Sequence, residues 1–176
     1  ASKISADMTA TSYANSYNLP IVTLRPFNNY GPRQSSRAII PTIISQALTE
    51  NKIRIGSLTP LRDFNFVKDT VNGFICLAKS KFNNGEIFNL SSGKQISIGD
   101  LAELINNKLG SGISISTDEK RIRPKSSEVL SLLGDSSYLR KNTNWKPLVS
   151  FDKGIDYTID YIRNNIDDYK TKEYII

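Results

Sequence analysis

Apolar positions recur along this chain at two periods, helical and strand-like, and their interleaving predicts an α/β protein. Ile21-Val22-Thr23-Leu24 is a short β-branched apolar run, which predicts a buried strand of the parallel kind. Pro26 should end that run, since it has no N–H for a ladder and restricts the residue before it. Asn28, Asn29, Gly31 and Pro32 then predict a sharp turn at the strand's carboxyl end, where ligands sit in open α/β sheets. Ahead of the strand, residues 1–17 carry few helix breakers; Ile4, Met8, Thr11 and Ser12 trace one helical face, and Asn18 ends it. Ile40, Ile43, Ile44, Ala47 and Leu48 mark a helix ending near Glu50. Ile53-Arg54-Ile55-Gly56 reads as a short strand, 61–69 as a strand running into a helix start, and 71–78 as a buried helix. A strand and turn follow at 86–93. Ser97-Ile98-Gly99-Asp100 forms a capping box for a helix with Leu101, Leu104, Ile105 and Leu109 inward and Gly110 as stop. Residues 113–117 alternate as an edge strand, and Ser150 caps a last helix carrying Ile155, Ile159 and Ile162 before a polar tail from Asp167.

A chain of 176 residues suits one domain with a sizeable core and is short for two independent ones. Its 39% hydrophobic and 23% charged content suits a globular protein in water, and no apolar run approaches the ~20 residues of a membrane span. Neither a signal peptide nor a membrane partner is expected. Cys76, in an apolar segment, reads as a small core residue; as the sole cysteine it excludes an internal disulfide, so a cytoplasmic location is expected. The absence of histidine removes Ser-His-Asp and Cys-His nucleophilic schemes and most catalytic zinc sites, and no metal site is expected. A net charge of +6 favours anionic partners. The charge is scattered and no nucleic-acid motif is present, so nucleotide phosphates, and not polymeric nucleic acid, are the expected partner.

Six segments carry candidate chemistry: Ser2-Lys3 with Asp7, R-P-F-N-N-Y-G-P-R at 25–33, R-D-F-N-F-V-K-D at 62–69, F-N-L-S-S-G at 88–93, R-P-K-S-S-E-V with a later G-D at 123–135, and W-K-P at 145–147. In this order they resemble extended short-chain dehydrogenases/reductases of the NAD-dependent epimerase/dehydratase family, which act on nucleotide sugars. The 123–135 pattern resembles the 4,6-dehydratases more than the plain galactose epimerases.

That resemblance implies the C-terminal part of a Rossmann-type enzyme joined to a smaller mixed α/β substrate-binding domain. Residues 1–28 would be the end of the Rossmann domain, a helix and its last-but-one strand, and 29–176 the substrate domain, with 63–91 packing back on the Rossmann part. Lys3 would be the catalytic lysine that lowers a tyrosine's pKa and holds the nicotinamide ribose; its tyrosine, four residues earlier, would precede residue 1. The chain therefore reads as the back half of such an enzyme, and no G-x-G-x-x-G occurs in it. Lys3 and Asn29 would face NAD or NADP, bound mainly by a preceding half. Asn28, Arg37, Ala38, Ile39, Arg62, Asn89, Arg123 and Glu128 would bind a nucleotide-diphosphate sugar. Arg62 and Arg123 would grip phosphate, and Glu128 a ribose or base edge. Trp145 would be a structural anchor. On local grounds alone, Arg62 pairs equally well with Asp63 or Asp69, and 121–129 is a solvated basic loop. The implied activity is a 4,6-dehydratase, a 4-epimerase being the alternative and a non-catalytic nucleotide-sugar-binding module the alternative of another class. A homodimer through the first helix is expected, with apolar surface around Val67, Phe74 and Phe88 exposed or covered by a partner.

Overall fold

The computed structural model describes residues 1–169; the predicted polar tail lies outside the described residues beyond Tyr169. Helix α1 (Ser2–Tyr17) ends at Asn18, whose φ of 50° is the left-handed C-cap conformation. Ala14 is its buried residue, while Ile4 and Met8 lie exposed on the predicted face. An ion pair from Arg25 Nε to Asp7 Oδ2, 2.7 Å long, ties the helix to the next strand.

That strand, β1 (Thr23–Pro26), pairs in parallel with β6 (Ile87–Leu90). Pro26 does not end the ladder as predicted. The N–H groups that donate to β6 and its flank belong to Thr23 (to Glu86 O) and Phe27 (to Leu90 O), so the parity of the strand turns Pro26's nitrogen away from β6. The chain stays extended as β2 (Asn28–Tyr30), paired in parallel with β5 (Phe64–Phe66). The turn comes later, at Gly31 and Arg33, with φ of 146° and 67°. A Cβ on Gly31 would lie 2.6 Å from Val67 Cγ1, so glycine is needed there for packing as well as for backbone angle.

Helix α2 (Ile39–Thr49) leads to β3 (Lys52–Ile55), which pairs in parallel with β8 (Ser114–Thr117). The predicted strand at 61–69 is interrupted. β4 (Leu61–Arg62) lies between antiparallel β7 (Ile96–Ser97) and parallel β9 (Ser131–Leu132), Asp63 turns inward, and β5 resumes beyond it. Helix α3 (Val67–Ala78) starts earlier than predicted and is buried on one face only. Thr70, Gly73 and Leu77 point inward, whereas Val71, Phe74 and Ile75 are exposed. Phe88, expected at an apolar surface, is buried instead, its ring stacked on Tyr138 of the short helix α5 (Ser137–Asn142) with centroids 5.0 Å apart. Val67 is half-buried.

Helix α4 (Ile98–Leu109) begins and ends as the sequence predicts: Ser97 Oγ accepts from Asp100 N at 2.9 Å, and Gly110 has φ of 62°. Helix α6 (Phe151–Asn164) starts at Ser150, whose hydroxyl accepts from Lys153 N. The main core joins α2, α4 and α6 to the strands through Ile43, Ile44, Ile53, Leu101, Ile105 and Ile155. A second cluster around Leu77, Phe88, Leu90, Leu139 and Trp145 fastens α3 and α5 to β6. Trp145 is the anchor expected: its Nε1 donates to Asp69 O at 2.9 Å, and the Asp69 carboxylate accepts from Leu148 N and Val149 N.

Tyr30 sits in an aromatic nest of Phe64, Phe66 and Phe151 and donates to Phe151 O; burial, with Asp69 nearby, pushes its hydroxyl well above the usual tyrosine range. Gly154 of α6 packs so closely on Tyr30 that a Cβ would overlap the phenol oxygen. Gly154→Ala should therefore lower stability by about 1–3 kcal/mol despite its better helix propensity, which a thermal melt will measure. No helix among the described residues is long and apolar enough to cross a membrane.

Candidate functional site

Strand β2, the turn that follows it and β4 form the walls of one cleft of ≈ 490 Å³. β2 contributes Asn28 and Asn29; the approach to α2 contributes Gln34, Arg37, Ala38 and Ile39; β4 contributes Arg62. Arg121, Arg123 and Glu128 close it from the long segment before β9.

Each polar group is held for a local reason. Asn28 Nδ2 donates to Asp63 O at 3.0 Å, and Asn29 Oδ1 accepts from the Thr70 hydroxyl. Gln34 Nε2 donates to Asn29 O at 2.6 Å, bracing the turn against the strand. Arg62 Nη2 bonds Glu128 Oε1 at 2.9 Å, and its Nη1 donates to Leu61 O and Val129 O. Its partner is thus neither Asp63 nor Asp69. Asp63, fully buried, accepts from Ser92 N, Ser92 Oγ, Gly93 N and Gly134 N, at 2.6 to 3.2 Å. That carboxylate gathers three chain segments and fixes the strand break that aims Arg62.

The electrostatics favour an anion. Four guanidinium groups, Arg37, Arg62, Arg121 and Arg123, line the cleft with one carboxylate, Glu128. Asp118 pairs with Arg121 from outside the lining. Ala38 and Ile39 form the N-terminus of α2, where backbone N–H groups and the helix dipole add positive potential. Backbone N–H groups and forked guanidinium donors in one partly enclosed space suit phosphate oxygens.

Of the residues predicted from sequence, Asn28, Asn29, Arg37, Ala38, Ile39, Arg62, Arg123 and Glu128 meet in this cleft. Lys3 and Asn89 do not line it. Lys3 is exposed on α1; Asn89 is exposed on β6, in register with Arg25. Sequence reasoning overlooked Gln34, Thr42, Phe64 and Arg121 as lining residues. Arg121 ends a short 3-10 turn, Glu119–Arg121, two residues before Arg123, and its place in the cleft follows from that turn. A second cavity, ≈ 530 Å³, is walled mainly by apolar and aromatic groups including Tyr30, Phe66, Leu148 and Phe151.

Residues 1–158 match the family described as GDP-mannose 4,6 dehydratase. The chain is 29% identical over 178 residues to the mouse (Mus musculus) dTDP-D-glucose 4,6-dehydratase, covering 98% of this chain and 49% of that protein. It is 30% identical over 169 residues to the UDP-glucuronate 4-epimerase of Thermodesulfobacterium geofontis, covering 95% of this chain and 50% of the relative. Among solved structures it resembles the UDP-glucuronic acid 4-epimerase of Bacillus cereus in complex with UDP-glucuronic acid and NAD. That likeness has a TM-score of 0.84 and 28% identity, covering 93% of this chain and 51% of the other. The fold is thus that of the Rossmann-type extended short-chain dehydrogenases/reductases, and the chain spans about half the length of the curated relatives it matches.

Proposed function

This chain belongs to the GDP-mannose 4,6-dehydratase family, and from that premise we propose that the whole protein is a nucleotide-sugar 4,6-dehydratase whose substrate grip resides here. The observation that carries the reading is the convergence of Arg37, Arg62, Arg121 and Arg123 with Asn28 and the start of α2 in one cleft. In this reading Arg62 and Arg123 hold the diphosphate, and Asn28, Ala38 and Ile39 bound the sugar. Glu128 stands within reach of the ribose or base, and exposed Asn89 meets the sugar from the second strand of the β1–β6 pair. The net reaction converts an NDP-hexose to an NDP-4-keto-6-deoxyhexose and one water, lost across C5–C6.

NAD or NADP would be held in part by Asn29 and Lys3 and, when bound, would supply reversible hydride acceptance for oxidation at C4 of the hexose. The donor set here fits a share of such a cofactor. The Asn29 amide, oriented by the Thr70 hydroxyl, keeps its Nδ2 as a donor, and the Lys3 ammonium is exposed and can bond ribose hydroxyls. Lys3 would also hold a neighbouring tyrosine's pKa down by its charge. Residues 1–28 are assigned to the Rossmann part and 29–176 to the substrate domain, with 63–91 returning to the Rossmann sheet; the β1–β6 pairing supports this. Exposed Ile4, Met8, Tyr13 and Tyr17 support α1 as a homodimer surface, and half-buried Cys76, a free thiol, suits a reducing cytoplasm.

A second reading, NDP-sugar 4-epimerase, is favoured by the 30% identity to a UDP-glucuronate 4-epimerase. Incubating the full-length protein and NAD with dTDP-glucose, UDP-glucose, GDP-mannose and UDP-glucuronic acid separates the readings by mass spectrometry together with proton NMR of the sugar, which reads the configuration at C4. A product lighter by one water is expected. An isomer of unchanged mass, inverted at C4, would establish the epimerase instead. Binding of a nucleotide sugar with no turnover would leave a non-catalytic module.

A further inference from the structure

The Arg62–Glu128 pair has a geometry that an exposed ion pair would not have. Both side chains are 15% exposed, and both line the cleft. The segment bearing Glu128 is stitched to β4 on either side of Arg62: Leu61 N donates to Leu130 O at 2.8 Å and Asp63 N to Leu132 O at 3.1 Å. Three of the five guanidinium N–H groups are taken, by Glu128, Val129 O and Leu61 O. The two left are Nε–H, on the Nη2 side of the planar fork, and one N–H on Nη2.

We infer that Glu128 is a positioning residue: it holds the Arg62 guanidinium so that its Nε–Nη2 edge faces the cleft as a bidentate receptor for a diphosphate. This rests on the anion-binding reading of the cleft and goes beyond it, because it makes a carboxylate necessary for binding an anion. The sign of its effect is diagnostic. A carboxylate acting only by its charge repels phosphate, so its removal would tighten binding. A carboxylate that acts by orienting Arg62 weakens binding when removed, because the freed guanidinium has several other orientations to adopt.

The test is calorimetric titration of the full-length protein with inorganic pyrophosphate, which has neither ribose nor base, and with dTDP-glucose. The proteins compared are wild type, E128A, E128Q, R62A and the R62A/E128A double variant, each checked by thermal melt. E128A should weaken both ligands about tenfold, the share of one charge-assisted hydrogen bond. E128Q keeps an acceptor for Nη2 and should stay within about threefold of wild type. In the R62A background, E128A should cause no further loss of pyrophosphate binding. Unchanged or tighter pyrophosphate binding by E128A, or an equal loss with and without Arg62, overturns the positioning role and leaves the anion cleft standing. R62A binding both ligands as wild type does, or no binding by wild type, overturns the anion cleft and the inference with it.

Discussion

Under the proposed dehydratase reading, Arg62→Ala should raise the KM of the full-length protein for a nucleotide sugar about 10- to 100-fold, the range of one or two hydrogen bonds to a charged group. Its kcat should change far less, because the diphosphate lies away from the reacting carbons and is gripped equally in ground and transition states. The effect is large because Arg62 is partly desolvated and already oriented; three of its N–H groups are spent on Glu128 and two carbonyls before any ligand arrives. Arg62→Lys should recover little, since an ammonium cannot serve those carbonyls, Glu128 and a phosphate in the same plane. Steady-state kinetics on the three proteins checks both statements.

Asp63→Ala should destabilise the fold by about 3–5 kcal/mol, the range for breaking a buried charged network from one side. The carboxylate is fully buried and receives three backbone N–H groups and one hydroxyl. Alanine would leave Ser92, Gly93 and Gly134 amides without an acceptor, and Gly134 cannot move away because it packs on Ser91 and Phe27. Asp63→Asn keeps one acceptor oxygen and should cost about half as much. Urea denaturation with an unchanged m-value would attribute the loss to the native state. Because Asp63 follows Arg62 directly, the destabilised protein should also bind ligand less well.

Helices with an apolar stripe and explicit caps were legible in the sequence. Ser97 with Asp100, Gly110 and Ser150 mark the ends of α4 and the start of α6 where the structure has them. Three features were not legible, each because distant residues decide them. Pro26 stays in a ladder because only alternate N–H groups of β1 face β6, and strand parity toward a partner cannot be read from one strand. Asp63 breaks the 61–69 strand because its partners lie at 92, 93 and 134. Phe88 is buried because Tyr138, fifty residues on, covers its ring. In the site, motif resemblance named eight residues that share the cleft, together with Lys3 and Asn89, which lie outside it. It missed Gln34, Thr42, Phe64 and Arg121, and did not show that Arg62 would choose Glu128 over the nearer Asp63 and Asp69. Sequence proximity favoured the wrong carboxylates; the strand pairing of β4 with β9 brings the right one across.

The central claim is that this cleft grips the diphosphate of a nucleotide sugar. Calorimetric titration of the full-length protein with UDP, GDP, dTDP and CDP, repeated on an R62A/R123A variant, tests it most directly. The account predicts that at least one nucleotide binds the wild type and that the variant loses that affinity by at least about tenfold, as removal of two charge-assisted contacts requires. Undiminished binding by the variant would place the nucleotide elsewhere and contradict the account.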